Sequence, residues 1–270
     1  MSYMEFFNPN EEIKNIENWI KSYFTETENM NTNAIIGLSG GKDSTIAATL
    51  LVRALGLERV IGVAMPQGEK SKEDTEIAKE LADILGIRFM IVDIESTVNA
   101  LVNSMAPEIA TKEVLMNIPP RIRMTTLYAI AQKYHGRVCN TCNRSEDYVG
   151  YATKYGDTAG DFAIFKSLTV REVLSIGDAL NISYEYVHRP PADGLTGKTD
   201  EEVLGFTYKE LDDFLLEGIQ PEEHKRNIIV YKHEINMHKN NICMPQYQRR
   251  TRKVKFEYNS SENDKIIIPF

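Results

Sequence analysis

The feature that most constrains this chain is eight residues long: Gly37-Leu38-Ser39-Gly40-Gly41-Lys42-Asp43-Ser44. It continues an apolar run, residues 34–38, that reads as a buried strand. It opens an Ala/Leu-rich segment, residues 43–55, that reads as a helix stopped by Gly56. A strand turning through glycines into a helix aims free backbone N–H groups and the positive end of the helix dipole at one spot, which makes an anion site. Gly40 and Gly41 let the backbone approach phosphate oxygens with no Cβ in the way, and Ser39 and Ser44 add hydroxyl donors. The string is not a Walker loop, because Asp43 follows Lys42 where Ser or Thr is needed. Nor does it carry the Gly-x-Gly-x-x-Gly dinucleotide spacing. An aspartate at the helix start repels bare phosphate. It makes sense with Mg²⁺ between them, since that ion takes one or two carboxylates plus phosphate oxygens.

Around the loop, strand and helix signals alternate. Ile13, Ile16, Trp19, Ile20, Tyr23 and Phe24 recur at helical spacing. Strands are expected at 60–65 and 88–94, a helix at 71–85, and mostly helix over 95–135, with Pro119-Pro120 starting a helix that ends at His135-Gly136. Val138-Cys139-Asn140 reads as a fourth strand. Residues 143–167 and 188–200 read as long polar loops. Thr169-x-x-Glu172 and Thr207-x-x-Glu210 are capping boxes, and 221–239 is a charged helix. The expected fold class is α/β: a doubly wound, mostly parallel sheet with helices on both faces. No repeat or linker divides residues 1–270, so one domain is expected, with a basic tail at 240–270.

Composition removes other classes. With 270 residues, 42% hydrophobic and 26% charged, the chain can bury a core and is not disordered. A net charge of −8 argues against a nucleic-acid binder. No apolar run approaches the ~20 residues of a membrane span, and no secretory signal is seen, so no membrane partner is expected. Three cysteines make no disulfide framework and suit a reducing cytoplasm.

The loop matches the pyrophosphatase loop of enzymes that attack the α-phosphate of ATP and release pyrophosphate. Further along come Arg121-x-Arg123-Met124, Thr141, Glu146, the run Gly150-Tyr151-Ala152-Thr153-Lys154-Tyr155-Gly156-Asp157, then Gly160-Asp161. Pro190-x-Ala192-Asp193, Asp200-Glu201, Leu211-Asp212-Asp213 and His238-Lys239 complete the series. In this order the motifs closely resemble the ammonia-dependent NAD synthetases, over about residues 12–239. The resemblance implies ATP-dependent amidation of deamido-NAD by ammonia through an adenylated intermediate. It implies that Gly37, Leu38, Ser39, Gly40, Gly41, Lys42, Asp43, Ser44 and Thr141 bind ATP, and that Asp43 and Glu146 hold Mg²⁺. Arg121, Lys154, Asp161, His238 and Lys239 would contact deamido-NAD, with Asp43 and Lys154 catalytic. It also implies a homodimer, to which the aromatic first helix contributes, and leaves no room for a fused glutaminase.

The chain departs from the pattern at Val170, where the family usually has a lysine touching ATP, and at Pro191, where Thr or Ser is common. Arg171 or Lys166 is the expected replacement for the missing charge. Two other readings compete. Cys139-x-x-Cys142 suggests an RNA sulfur transferase, against which stand the acidic charge and the reading of both cysteines as structural. A noncatalytic nucleotide sensor would account for the departures, but Asp43, Glu146 and Lys154 are retained. The basic run at 249–255 reads as a solvated edge or a dimer contact.

Overall fold

A computed structural model describes residues 3–26, 31–189, 199–239, 244 and 246–248. Its centre is a parallel sheet of β1 (Asn33–Gly37), β2 (Val60–Ala64), β3 (Arg88–Ile91), β4 (Gly136–Asn140) and β5 (Phe162–Ala163), in the order β3-β2-β1-β4-β5. Ile35 sits in register with Ile61 on one side and Val138 on the other. Successive side chains on a strand serve opposite faces. Ala34 and Ile36 therefore join one core with α1 (Pro9–Glu26), α2 (Lys42–Leu55) and α3 (Lys72–Leu85), through Ile20, Leu50 and Leu81. Ile35 joins the other with Val98 of α4 (Glu95–Asn103) and Leu127 of α5 (Lys112–Lys133). Helices cover both faces, as the sequence predicts. The chain steps outward from β1 to β3, then returns to set β4 against the other side of β1. Connections leave the carboxyl ends of β1 and β4 in opposite directions, and the crevice between them is where open α/β sheets take ligands.

The remaining helices are α6 (Arg144–Val149), α7 (Val170–Ala179), α8 (Tyr184–Val187), α9 (Asp200–Leu204), α10 (Tyr208–Glu217) and α11 (Glu223–Asn236). Val149, Val170, Leu204, Leu211, Phe214 and Ile229 give α6, α7, α9, α10 and α11 their own small core. It meets the start of α2 where Tyr208 lies under Lys42. The boxes at Thr169 and Thr207 form as expected, and Thr199 with Glu202 adds another.

Three expectations need correction. The Pro119-Pro120 pair does not start α5. Thr111 caps it, its side chain accepting from Val114 N, and both prolines lie inside the helix. They leave the carbonyls of Leu115 and Met116 without a helical donor, and Pro120 instead packs where a Cβ on Gly156 would come within 2.8 Å of it. The 143–167 stretch is not all loop: it holds α6 and β5. The third strand ends at Ile91, short of residue 94. Pro190, Pro191, Ala192, Asp193, Cys243 and the 249–255 run lie outside the described residues. No described helix is long and apolar enough to cross a membrane.

One buried carboxylate ties the small core together. Asp212 of α10 is fully buried, accepting from Ser145 Oγ of α6 and from Arg171 N of α7 at 2.8 Å. Burial pushes its pKa up to about 6 from an ordinary 3.8, opposed by the Ser145 and Arg171 hydrogen bonds. A folded-state pKa above the unfolded one means stability is fully present below pH ~4 and is lost as pH rises through ~6. Asp212→Asn keeps the shape and removes the titration, so its stability relative to the parent should improve between pH 4 and 7 by up to about 3 kcal/mol. Urea unfolding at several pH values checks this. Parallel stability curves for the two proteins would contradict it.

Candidate active site

The loop after β1 is shaped by Gly40. Its φ is +74°, and a Cβ there would come within 2.9 Å of the Asp74 carbonyl oxygen, so the turn needs glycine. Gly41 is the N-cap of α2 and supplies no side chain to the helix end. Ser39 Oγ accepts from Gly41 N at 3.3 Å and lies 3.2 Å from Ser44 Oγ, which donates to the Gly41 carbonyl at 3.0 Å. Two hydroxyls and the open end of a helix thus meet at one place. Beside them, at the carboxyl ends of β1, β2 and β4, is a cavity of about 360 Å³. Gly37, Leu38, Ser39, Met65 and Thr141 are among its walls. Thr141 and the start of the loop therefore face one space.

Asp43 and Glu146 come together as well, and the reason is local. Asn143 N-caps α6 in a capping box: its Oδ1 accepts from Glu146 N at 3.0 Å, and Glu146 Oε2 accepts from Asn143 N at 3.2 Å. The remaining amide group of Asn143 donates to Asp43 Oδ1 at 3.3 Å, so one asparagine joins both carboxylates. Burial and the Asp43 charge push the Glu146 carboxyl well above the usual carboxylate range, with Lys42 opposing. Two hard oxygen ligands that repel each other suit a divalent cation bound alongside phosphate oxygens. The described residues hold no group of three or more His, Cys, Asp or Glu that could hold a metal ion.

Lys42 turns into the protein. It is 7% exposed, its Nζ is 2.8 Å from Asp43 Oδ2, and it lies 5.9 Å from the centre of the Tyr208 ring. Burial disfavours its charge, but Asp43, Glu146 and Asp200 outweigh burial and hold the ammonium protonated. Asp200 is itself held by Tyr151 at 3.1 Å and Tyr208 at 3.5 Å.

The residues expected to meet the second substrate form a separate group. Arg121 Nε donates to the Lys154 carbonyl at 3.2 Å, Lys154 Nζ to the His238 carbonyl at 2.8 Å, and Lys239 Nζ to the Gly150 carbonyl at 2.7 Å. Asp161 is not among them. Its Oδ2 accepts from Val138 N at 2.7 Å, and its backbone carbonyl accepts from Tyr23. Among the described residues no hydrogen bond or ion pair joins it to Arg121 or Lys154.

The substitutes for the missing lysine fare differently. Val170 is buried, its N–H donating to Ser145 Oγ at 3.0 Å. Arg171 is consumed by ion pairs to Asp213 and to Glu217, the latter at 2.9 Å. Lys166 pairs with Asp147 at 2.6 Å, one residue from Glu146. Cys139 and Cys142 are buried free thiols, raised well above their ordinary pKa by burial, which leaves little nucleophilic thiolate. Trp19, Tyr23 and Phe24 pack within the chain, with the Tyr23 and Phe24 rings 5.0 and 5.3 Å from Phe162. The aromatic face expected at a subunit contact is thus largely used inside the fold.

Sequence reasoning missed Asn143, although Asn143-x-x-Glu146 is the capping-box pattern recognised at Thr169 and Thr207. Asp200 and Tyr208 were legible as motif residues, but their place around Lys42 was not.

Comparison with known proteins places this geometry. The NH(3)-dependent NAD(+) synthetase of Methanococcus aeolicus is 40% identical over 199 residues, covering 72% of this chain and 77% of that one. An NMN synthetase structure from Francisella tularensis matches with a TM-score of 0.80 and 32% identity, over 88% of this chain and 98% of that one. An NH3-dependent NAD synthetase structure from Campylobacter jejuni matches with a TM-score of 0.71 and 26% identity, over 90% and 100%. The NAD synthase family profile spans residues 12–255. With its five-stranded parallel sheet, its phosphate loop and these likenesses, the chain belongs to the NAD synthase family.

Proposed function

We propose that this chain is a ligase that amidates deamido-NAD with ammonia, converting ATP to AMP and pyrophosphate. The observation that carries the reading is the phosphate loop with Asp43 and Glu146 brought to one point by Asn143. A carboxylate does not react with ammonia until its oxygen can leave. The nicotinate carboxylate attacks the α-phosphorus, the bond to pyrophosphate breaks, and ammonia then adds to the acyl carbon and displaces AMP. The adenosine fits the cavity walled by Leu38, Met65 and Thr141. The loop N–H groups with Ser39 and Ser44 bind the departing pyrophosphate. Asp43 and Glu146 would hold Mg²⁺, which neutralises charge on the phosphates when bound. Arg121, Lys154 and Lys239 supply cations to the dinucleotide's own pyrophosphate, with His238 beside them and Lys154 taken as the catalytic one. Asp161, just before β5, stands apart from this group, its carboxylate accepting from Val138 N. Cytoplasmic location is supported by two buried free thiols. A homodimer is supported by family membership rather than by α1.

A mononucleotide acid is the second reading, favoured by the likeness to the NMN synthetase structure. Purified protein with ATP, Mg²⁺, ammonium and either acid separates the two. Equal NAD, AMP and pyrophosphate from deamido-NAD is the expected result, with none from glutamine alone. Amidation confined to nicotinate mononucleotide would overturn the choice of acid. Pyrophosphate without either amide would overturn the acceptor class and bring the RNA-modifying reading forward.

A further inference from the structure

A lysine in the first turn of a helix opposes the helix dipole, so Lys42 needs a local reason to be there. The loop offers one in the phosphates it is built to bind, and a four-carbon stem could extend toward them. The structure shows another. The side chain folds inward between the starts of α2 and α6 and the Tyr208 ring of α10, with its ammonium 2.8 Å from Asp43 Oδ2. Asp43 of α2 meets the buried ammonium directly, and Glu146 of α6 and Asp200 of α9 add their attraction from two further segments. Asp200 is steadied by the hydroxyls of Tyr151 and Tyr208. Asp43 is steadied from its other side by Asn143. These groups leave Lys42 a constructed niche.

The pairing gives the niche a purpose. The ammonium holds Asp43 Oδ2 at 2.8 Å, so a bare divalent ion can take that carboxylate only by displacing it. Without the ammonium, Asp43 beside Glu146 would be open to a hard cation with or without nucleotide. We propose that Lys42 is the resident counter-cation of this pocket: it weakens the binding of a bare divalent ion at Asp43 and Glu146, so that the metal enters with ATP. This rests on the assignment of those two residues as the metal carboxylates, but not on which acid is amidated.

The test uses Mn²⁺ alone, titrated into the nucleotide-free full chain and followed by the electron paramagnetic resonance of the free ion. Lys42→Met is expected to bind Mn²⁺ at least tenfold more tightly than the parent, and Lys42→Arg about as weakly as the parent. Adding Asp43→Asn to Lys42→Met should return the affinity to the weak level. Lys42→Gln, which keeps a polar head among the carboxylates, replaces Lys42→Met if that variant does not fold by circular dichroism. Unchanged Mn²⁺ affinity in the charge-removing variant overturns the proposal. Should the same variant instead lose tenfold in affinity for a non-hydrolysable ATP analogue, Lys42 is a phosphate ligand. Tight Mn²⁺ binding that survives Asp43→Asn also overturns it, and places the fault in the metal assignment. None of these readings depends on the product assay.

Discussion

Asp43→Asn should lower pyrophosphate release by about a thousandfold while leaving the protein folded. Asp43 sits at the end of a loop, and its partners are Lys42 and Asn143. Asparagine keeps the shape and an oxygen for the Asn143 amide. Lys42 keeps Glu146 and Asp200, so the loss of stability should stay below about 2 kcal/mol, less than breaking an isolated buried pair. The chemical step is another matter. Removing one of two carboxylates that would hold the metal forfeits several kcal/mol of charge stabilisation on the phosphates, and about 4 kcal/mol is a thousandfold in rate. Glu146→Gln should lose activity for the same reason but gain stability. Its carboxyl is disfavoured as an anion by burial and by Asp43, and the amide relieves both. Pyrophosphate release and a thermal melt on each variant decide. Asp43→Asn within tenfold of the parent would exclude Asp43 from the metal.

The contrast between these two carboxylates shows what could be read from the sequence. Asp43 was legible because strand, glycine turn and helix are local, and their order fixes where the side chain stands. Glu146 was legible only as a motif residue, because α6 is six residues long and mostly polar and gives no periodic signal. β5 is two residues long, too short for any pattern to mark it. The proline pair misled for a physical reason: a proline needs no donor at a helix start, but here a cavity wall and Gly156 use its shape from inside the helix. Asp161 bonds to Val138 N because β5 pairs with β4 in one register, and register is a tertiary fact. Lys42 reads in sequence as a phosphate ligand. Only the meeting of α6, α9 and α10 beside α2 turns it inward.

That dependence on meeting segments is sharpest at Gly150, where one added methyl should have the largest structural effect. Gly150 ends α6 with φ +64°, and a Cβ there would come within 2.1 Å of Asn236 Cβ. The same turn carries α11: Asn236 donates to the Val149 carbonyl at 3.1 Å, His233 meets the Tyr148 carbonyl at 2.8 Å and stacks on its ring, and Lys239 reaches the Gly150 carbonyl. Gly150→Ala combines left-handed strain of about 1 kcal/mol with overpacking of about 1–3 kcal/mol. It should therefore lower stability by about 2–4 kcal/mol. Because α11 must move off α6, His238 and Lys239 move away from Lys154, and a displacement of about 1 Å can cost a hundredfold. The kcat/KM for deamido-NAD should fall by about that factor. KM for ATP should change less than about threefold, since among the described residues none of α11 lines the cavity beside the phosphate loop. Gly150→Ala with Asn236→Gly removes the clash but not the strain. That pair should regain most of the deamido-NAD efficiency and only part of the stability. Equal losses for both substrates would mean that α11 carries the fold alone and holds no part of the dinucleotide site.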